Sequence, residues 1–181
     1  VSEQLVGLGF DVHAFAPGRA LMLGGVRFDS QDGLAGHSDG DVVCHALADA
    51  MLGAAALGDI GEHFPDTDPV FEGIGGLDLL GRAREMIRVA GCHPVSADLT
   101  VIAERPSIAP VRDAMRRALC DASRGARALG GRRGLHRARG VGAVVTTSVV
   151  AGRRAVLEAV RAGSARDVLV GRGARSTPGL R

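Results

Sequence analysis

The 181-residue sequence contains no lysine, tryptophan or tyrosine, and no aromatic residue follows Phe71. It also lacks an uninterrupted apolar stretch of ~18 residues, the length that a membrane-spanning helix needs. The best candidate, residues 42–60, is broken by Asp49 and Asp59. No basic region followed by an apolar one stands near the N-terminus, so no secretory signal is indicated. We therefore expect a cytoplasmic protein that has no membrane partner.

Cysteine is also scarce. Cys44, Cys92 and Cys120 form an odd and widely spaced set, which fits a reducing compartment better than a disulfide framework. Hydrophobic residues make up 46% of the chain, which is too many for a largely disordered protein. The length suits one domain with a sizeable core.

Positive charge is confined to arginine and is unevenly distributed. Residues 1–121 hold 9 arginines against 18 acidic residues, a net charge of −9, whereas residues 122–181 hold 13 against 2, a net charge of +11. A basic tail of this kind can neutralise nucleic-acid phosphates. However, it lacks aromatic residues for base stacking, and its arginines form no clear face. A nucleic-acid partner is therefore not expected.

Apolar runs and turn residues predict an alternation of strands and helices. Strands are predicted over 6–15, 20–28 and 95–103, helices over 40–57, 77–90 and 111–121, and loops over 30–36 and 61–76. Ser38 or Asp39 is predicted to cap the first helix, because a short polar side chain accepts its free N–H groups. Gly24 and Gly25 are predicted to kink the second strand. This order favours a single α/β domain whose mixed β-sheet is covered by helices on one face.

Three residues have the spacing of a metal site. Asp11 and His13 are two residues apart in a predicted strand, so their side chains project from one face. His45 lies on the first predicted helix, one turn after Asp41. One carboxylate and two imidazoles can hold Zn²⁺ and leave its fourth position open. On spacing alone, the ordinary alternative is a core or surface histidine.

The segment 37–47, H-S-D-G-D-V-V-C-H-A-L, places two histidines, two aspartates and a serine around a helix start. Free N–H groups and the helix dipole favour an anion there. Capping alone needs one such residue rather than five. A phosphate held by His37, Ser38 and the helix start, beside a metal, would suit phosphoryl transfer.

Two further segments have ordinary alternatives. Residues 58–68, G-D-I-G-E-H-F-P-D-T-D, concentrate aspartate and otherwise indicate an acidic surface loop. Residues 103–110, A-E-R-P-S-I-A-P, directly follow a predicted strand. Loops at strand ends in α/β sheets often bind ligands, although a plain turn is the default.

Together these motifs resemble one enzyme family. The segments G-F-D-V-H-A-F (9–15), L-G-G-V (23–26), H-S-D-G-D-V-V-C-H-A-L (37–47), D-A-M-L-G-A-A-A-L-G-D-I-G (49–61) and F-P-D-T-D-P (64–69) are similar to those of 2-C-methyl-D-erythritol 2,4-cyclodiphosphate synthases. These enzymes are phosphorus–oxygen lyases of non-mevalonate isoprenoid (terpenoid) biosynthesis. The resemblance runs nearly unbroken from residue 7 to about residue 121 and implies the same fold.

The resemblance also implies roles for individual residues. Asp11, His13 and His45 would be the zinc ligands, and His37 and Ser38 would be catalytic, holding the 2-phosphate of the substrate. The implied substrate-binding residues are Asp11, Val12, His13, His37, Ser38, Asp59, Ile60, Gly61, Phe64, Pro65, Asp66, Thr67, Asp68, Ala103, Glu104, Arg105, Pro106, Ser107, Ile108 and Ala109. Those from Ala103 to Ala109 would form the cytosine pocket.

The implied reaction converts 4-diphosphocytidyl-2-C-methyl-D-erythritol 2-phosphate to the cyclodiphosphate and releases CMP. Mg²⁺ or Mn²⁺ would bridge the substrate phosphates, and a homotrimer would place its active sites between subunits. Two alternatives stay open: an impaired synthase-like protein with a non-native C-terminus, and another zinc-dependent hydrolase.

The resemblance ends at about Asp121, which predicts a synthase-like domain over 1–121 and a separate Arg/Gly/Ala-rich segment over 122–181. The family continues with a strand V-x-V-K-A-T-T-T-E and then G-L-G-F-T-G-R-G-E-G, which this chain lacks. Thr146 and Thr147 come about a dozen residues too late to match those threonines. A one-base shift after Ala122 permits L-G-V-P-A-R-W-V-D-V-E-A-S-T, in register with the family strand. We therefore expect an out-of-frame or disordered segment from Ser123 onward.

Overall fold

The computed structural model describes residues 4–103, 105–125 and 141–150. Strands and helices alternate through these residues, as the sequence predicts. The strands are β1 (Gln4–Asp11), β2 (Phe15–Pro17), β3 (Leu21–Leu23), β4 (Val26–Phe28), β5 (Asp32–Leu34), β6 (Cys92–Ile102) and β7 (Val141–Val150). The helices are α1 (Val42–Ala54), α2 (Ile60–His63), α3 (Gly76–Val89) and α4 (Arg112–Arg124), with 3-10 turns at Pro69–Phe71 and Ala109–Val111.

The main sheet has the strand order β1-β7-β6, and both of its pairings are parallel. Residue Gly9 of β1 is in register with Thr147 of β7, which in turn is in register with Leu99 of β6. A register irregularity between Pro94 and Ser96 interrupts the ladder in β6. The antiparallel pairs, β2 with β5 and β3 with β4, form two separate small sheets. The α/β class is therefore confirmed, with both strand orientations present but in different sheets of the described residues.

The segment predicted as one kinked strand over 20–28 is instead a hairpin. Residues Leu21–Leu23 pair antiparallel with Val26–Phe28 across Gly24 and Gly25. Both glycines have positive φ, 58° and 75°. A two-residue turn with positive φ at both positions matches the twist of the strands it joins, and glycine adopts it without strain. The two glycines thus reverse the chain rather than kink it.

Four other predictions, for the first helix and the loops on either side of it, needed correction. Residues 30–36, predicted as a loop, contain β5, which pairs with β2. The cap of α1 is Asp41, whose Oδ1 accepts the N–H groups of Val43 and Cys44, rather than Ser38 or Asp39. Helix α1 ends at Ala54, three residues before the predicted end. The loop predicted over 61–76 contains α2 and the first 3-10 turn.

The remaining element predictions are confirmed with small shifts. Helices α3 and α4 correspond to the helices predicted over 77–90 and 111–121, with ends that differ by one to three residues. The strand predicted over 95–103 is β6, although it begins three residues earlier. The strand predicted over 6–15 is β1, which ends at Asp11 and is followed by the short β2.

The C-terminal third contributes to the sheet. Helix α4 runs past the predicted boundary at Asp121 to Arg124, and β7 lies between β1 and β6. Residues 126–140 and 151–181 of the segment predicted to be out of frame or disordered lie outside the described residues.

The hydrophobic core is centred on α1. Ten of its thirteen residues are buried, and it packs on β1, β7 and α3. Leu21, Leu34, Leu80 and Ile87 are among the side chains buried against it. No helix of the described residues is long and apolar enough to cross a membrane.

Strand β1 approaches α1 so closely that two of its inward-facing positions, Gly7 and Gly9, have no room for a side chain. A Cβ at Gly7 would lie 1.9 Å from the carbonyl oxygen of Ala50, and one at Gly9 would lie 1.9 Å from that of Ala46. The obstructing atoms are helix backbone, which cannot rotate away as a side chain can. Alternation along the strand turns Val6 and Leu8 to the opposite face, where they are exposed. One face of β1 is therefore covered by α1 and the other is apolar and open.

Replacing Gly9 with alanine should force β1 and α1 apart. We expect Gly9→Ala to lower the free energy of unfolding by about 1–3 kcal/mol, because overpacking against backbone displaces whole elements. Urea denaturation of the two proteins measures this difference. Gly53→Ala is the matched control on α1, since a Cβ there meets nothing within 4 Å and alanine favours the helix. Equal stability of Gly9→Ala and the parent protein would contradict the close-contact account.

Candidate functional site

Asp11, His13 and His45 converge at the C-terminal end of β1. The Oδ2 atom of Asp11 lies 2.9 Å from His13 Nε2 and 3.0 Å from His45 Nδ1. Each residue offers one ligand atom, and the three atoms lie within 4.8 Å of one another. In a tetrahedral zinc site with bonds of about 2.0–2.2 Å, the ligand atoms are about 3.3 Å apart. The donor set and its spacing therefore fit a metal ion with three protein ligands.

The opposite nitrogen of each histidine ring is held by another part of the protein. His13 Nδ1 bonds to the carbonyl oxygen of Ala35, and His45 Nε2 lies 3.0 Å from Ser38 Oγ. When His13 Nε2 and His45 Nδ1 are the ligand atoms, these opposite nitrogens carry the protons and donate. Such outer hydrogen bonds fix the tautomer and orientation of a metal-binding histidine. Both rings are thus presented with the correct nitrogen toward Asp11.

The three side chains also perturb one another's ionisation. Burial acts to raise the pKa of Asp11, but hydrogen bonds and charge from His13 and His45 outweigh it and hold that pKa well below its usual value. Burial acts to lower the pKa of His13, but the hydrogen bond and charge of Asp11 outweigh it and raise that pKa. The Asp11 carboxylate is therefore ionised, as a metal ligand must be, whereas His13 must give up the proton that it shares with Asp11 before its Nε2 binds a cation.

The two predicted catalytic residues precede α1. Ser38 is buried, and its Oγ accepts the N–H of Gly40 at 3.0 Å and lies 3.0 Å from His45 Nε2. When His45 Nδ1 binds a metal ion, Nε2 carries the proton and donates to Oγ, which leaves the hydroxyl hydrogen free to donate to a ligand. His37 is exposed, and its carbonyl oxygen accepts the N–H of Gly73. The Ser38 side chain is therefore held by His45, whereas the His37 side chain faces solvent.

Arg19 forms a hydrogen bond with the backbone of the segment that contains His37 and Ser38. Its Nη2 donates to the carbonyl oxygen of Ser38 at 2.5 Å. Among the described residues, its buried Nε has no hydrogen-bond partner. Arg19 therefore links the turn before β3 to the residues before α1.

Two aspartates fasten other loops to the start of α1. The fully buried carboxylate of Asp41 accepts the N–H groups of Gly24 and Gly25 at 2.8 and 2.6 Å, in addition to those of the helix. Asp39 Oδ2 accepts the N–H of Gly76, the first residue of α3, at 2.8 Å. The hairpin and α3 are therefore both held at the N-terminus of α1.

The predicted pocket segments 59–61 and 64–68 follow α1 in the chain. Asp59 caps α2 by accepting the N–H of Glu62 at 3.0 Å, and Asp68 accepts the N–H of Val70. Phe64 packs edge-on against Phe71, with ring centroids 5.4 Å apart. These segments therefore form a capped turn and an aromatic contact rather than an unstructured loop.

Asp49 connects these segments to α1, the helix that carries His45. Its Oδ1 accepts the N–H of Ile60 at 2.8 Å. Burial, followed by the charges of Asp59 and Asp11, raises the pKa of Asp49 to about 6, although the hydrogen bond from Ile60 acts to lower it. Asp49 therefore lies between the three converging side chains and the predicted pocket.

The predicted cytosine segment occupies a different location. Arg105 pairs with Asp32 of β5 at 2.8 Å and lies over the ring of Phe15 of β2. Ile108 packs against the core. No hydrogen bond among the described residues joins 103–109 to Asp11, His13 or His45, and Glu104 lies outside those residues. Ser38 is thus joined to the metal residues through His45, whereas Arg105 of the cytosine segment contacts β2 and β5.

Sequence reasoning missed Arg19, Ala35 and Asp49. For Asp49 a signal existed, because Asp41, His45 and Asp49 follow one another at intervals of four on α1 and so share one face. A backbone carbonyl such as that of Ala35 carries no sequence signal. Arg19 could not be distinguished from a solvated surface arginine.

Comparison with known proteins agrees with this geometry. The YgbB family model matches residues 5–128. The 2-C-methyl-D-erythritol 2,4-cyclodiphosphate synthase of Symbiobacterium thermophilum is 57% identical over 113 residues, covering 62% of this chain and 72% of that protein. The enzyme of the same name from Chlorobaculum tepidum is 51% identical over 112 residues, covering 62% and 71%.

Solved structures show the same likeness. The bifunctional IspDF from Campylobacter jejuni superposes with a TM-score of 0.58 at 35% identity, over 80% of this chain and 36% of that one. A 2C-methyl-D-erythritol-2,4-cyclodiphosphate synthase in its CDP-bound form gives a TM-score of 0.52 at 31% identity, over 75% and 83%. This chain thus spans about a third of the bifunctional protein. With the family model matching more than half of its residues, the chain belongs to the YgbB family.

Proposed function

We propose that the chain converts 4-diphosphocytidyl-2-C-methyl-D-erythritol 2-phosphate to 2-C-methyl-D-erythritol 2,4-cyclodiphosphate and CMP, as a lyase of isoprenoid precursor biosynthesis in the cytoplasm. The observation that carries the proposal is the convergence of Asp11, His13 and His45 beside Ser38 in a member of the YgbB family. Relatives at 50–57% identity are named for this activity.

In the proposed reaction, an oxygen of the 2-phosphate forms a bond to the β-phosphorus. The bond from that phosphorus to the bridging oxygen breaks, and CMP leaves with the bridging oxygen. Zn²⁺ held by Asp11, His13 and His45 would act as a Lewis acid that polarises the phosphoryl group. Ser38 donates its free hydroxyl hydrogen to a phosphate oxygen, and exposed His37 contributes a second donor. Positioning and charge neutralisation would supply the rate, since the protein forms no covalent bond.

The remaining pocket roles are part of the same proposal. Residues 59–61 and 64–68, with Val12, would line the methylerythritol and phosphate pocket, and residues 103–109 would bind cytosine from a neighbouring subunit. Mg²⁺ or Mn²⁺ would bridge the substrate phosphates. The described residues contain one cluster of three metal-ligating side chains, so we assign no protein ligands to this second ion.

The open face of β1 supports a homotrimer. Val6 and Leu8 are 70% and 57% exposed there, next to the strand end that carries Asp11. Exposed apolar side chains side by side on one strand face are the kind of surface that a protein interface covers. We propose that a second and a third copy of the chain cover it.

His45→Ala should abolish both metal binding and turnover. We expect about one zinc per chain in the parent protein and less than about 0.1 in the variant, with CMP release at least ~100-fold slower, since loss even of outer partners costs 10–100-fold. Metal analysis and ³¹P NMR of the products measure these effects. His93→Ala, which removes an imidazole from β6, is the control. An acyclic 2,4-bisphosphate product without cyclodiphosphate would contradict the proposal and favour a zinc-dependent hydrolase.

Leu8→Asp should dissociate the trimer. We expect the parent protein to have three times its 18.6 kDa monomer mass by analytical ultracentrifugation, and the variant to sediment as a monomer that still binds zinc. Val89→Asp introduces the same charge at a site that is 75% exposed on α3 and should leave the mass unchanged. A monomeric parent protein, or a trimeric Leu8→Asp variant, would contradict the proposed assembly.

We also propose that residues from Ser123 onward are largely an out-of-frame translation. The change of net charge near Asp121 and the end of the family match at residue 128 support this. Central strand β7 falls in this segment, so a corrected frame would replace it. Resequencing across the codons for Ala122 and Ser123 should reveal a one-base shift, and the corrected chain should release CMP faster. An intact frame that encodes this sequence and yields an active enzyme would contradict it.

A further inference from the structure

Asp49 stands one helical turn after His45 on α1, so the two side chains share one face of the helix. This face points toward the end of β1 where Asp11 meets His45 at 3.0 Å. The neighbouring charges of Asp11, Asp59 and His45 all act on the Asp49 carboxyl group. Asp49 is therefore at the junction between the metal ligands and the segment 59–61.

Asp49 supplies a hydrogen bond that this segment cannot make for itself. Ile60 is the first residue of α2, and its N–H is one of the unpaired donors at a helix start. The side chain of Asp59, which caps α2, accepts the N–H of Glu62 instead. Asp49 Oδ1 accepts the N–H of Ile60 at 2.8 Å. A side chain of α1 thus determines where the backbone of residues 59–61 lies.

A tight turn at Gly58 precedes Asp59. Gly58 has a φ of 81°, a conformation that residues with a Cβ rarely adopt. A Cβ there would lie 2.0 Å from a carboxylate oxygen of Glu62. The chain therefore arrives at Asp59 through a tight turn, and Asp49 fixes the residues that follow.

We propose that Asp49 is a positioning residue for substrate recognition, which sets the distance between the zinc ligands and the polyol pocket wall formed by residues 59–61. The proposal rests on the proposed function, in which that segment contacts the hydroxyl-bearing methylerythritol. For this role the side chain at position 49 must provide an oxygen atom that accepts the Ile60 N–H. Asparagine supplies the same acceptor without the charge, and alanine supplies none.

The test compares Asp49→Ala and Asp49→Asn in the zinc-loaded full-length chain. We expect Asp49→Ala to speed amide hydrogen exchange at Ile60 and to raise KM for the cytidylylated substrate, each by about tenfold, as loss of a buried hydrogen-bond partner implies. Zinc content should stay at one per chain, and kcat should change less than KM. Asp49→Asn should keep both exchange and KM within about threefold of the parent values.

Asp113→Ala is the control, because it removes an exposed carboxylate of α4 whose ion pair among the described residues is with Arg116. It should change none of these quantities. Unchanged Ile60 exchange and KM in Asp49→Ala would overturn the proposal, as would loss of zinc in that variant. The proposal would also be overturned if Asp49→Asn changed Ile60 exchange and KM as much as Asp49→Ala does. In that case the charge of Asp49, rather than its hydrogen bond to Ile60, would be what matters. If the parent protein releases no CMP, the proposed function fails, and Ile60 exchange still decides whether Asp49 fixes the segment.

Discussion

The close approach of α1 to β1 is the constraint on which the site depends. Gly7 and Gly9 leave no Cβ between the strand and the backbone of Ala46 and Ala50. At a more usual separation, Asp11 at the strand end could not lie 3.0 Å from His45 on the helix. The geometry of Asp11, His13 and His45 therefore depends on the small residues that precede Asp11 in β1. A packing requirement of the core and a chemical requirement of the site are met by the same contact.

Helix α1 also organises the loops around the site, and it does so through carboxylates. Asp41 binds the β3–β4 turn, Asp39 binds the start of α3, and Asp49 binds the start of α2. In each case a side-chain oxygen accepts a backbone N–H that has no partner in its own element. Unpaired buried N–H groups are unfavourable, so these bonds define loop positions as well as adding stability. The acidic character of this region thus has a structural origin beside its chemical one.

The sequence predicted much of this arrangement, and the failures have identifiable causes. The D-x-H spacing and the helix carrying His45 made a metal site one possibility, because strand periodicity places Asp11 and His13 on one face, and the family resemblance then implied the three ligands. The turn at Gly24–Gly25 was missed, because glycine permits both a kink and a reversal. The role of Asp49 was missed, because its spacing from His45 indicates only that the two side chains share a helix face, whereas its partner is a backbone N–H eleven residues away. The position of β7 between β1 and β6 depends on long-range pairing, which local patterns do not determine.

Whether the β1–α1 contact builds a zinc centre from one carboxylate and two imidazoles can be measured by X-ray absorption at the zinc K-edge, on the zinc-loaded full-length chain. We expect four light-atom ligands at about 2.0–2.2 Å, with the outer-shell scattering of two imidazole rings. Sulfur ligands at about 2.3 Å, which would implicate cysteines, or a shell without imidazole scattering, would contradict it.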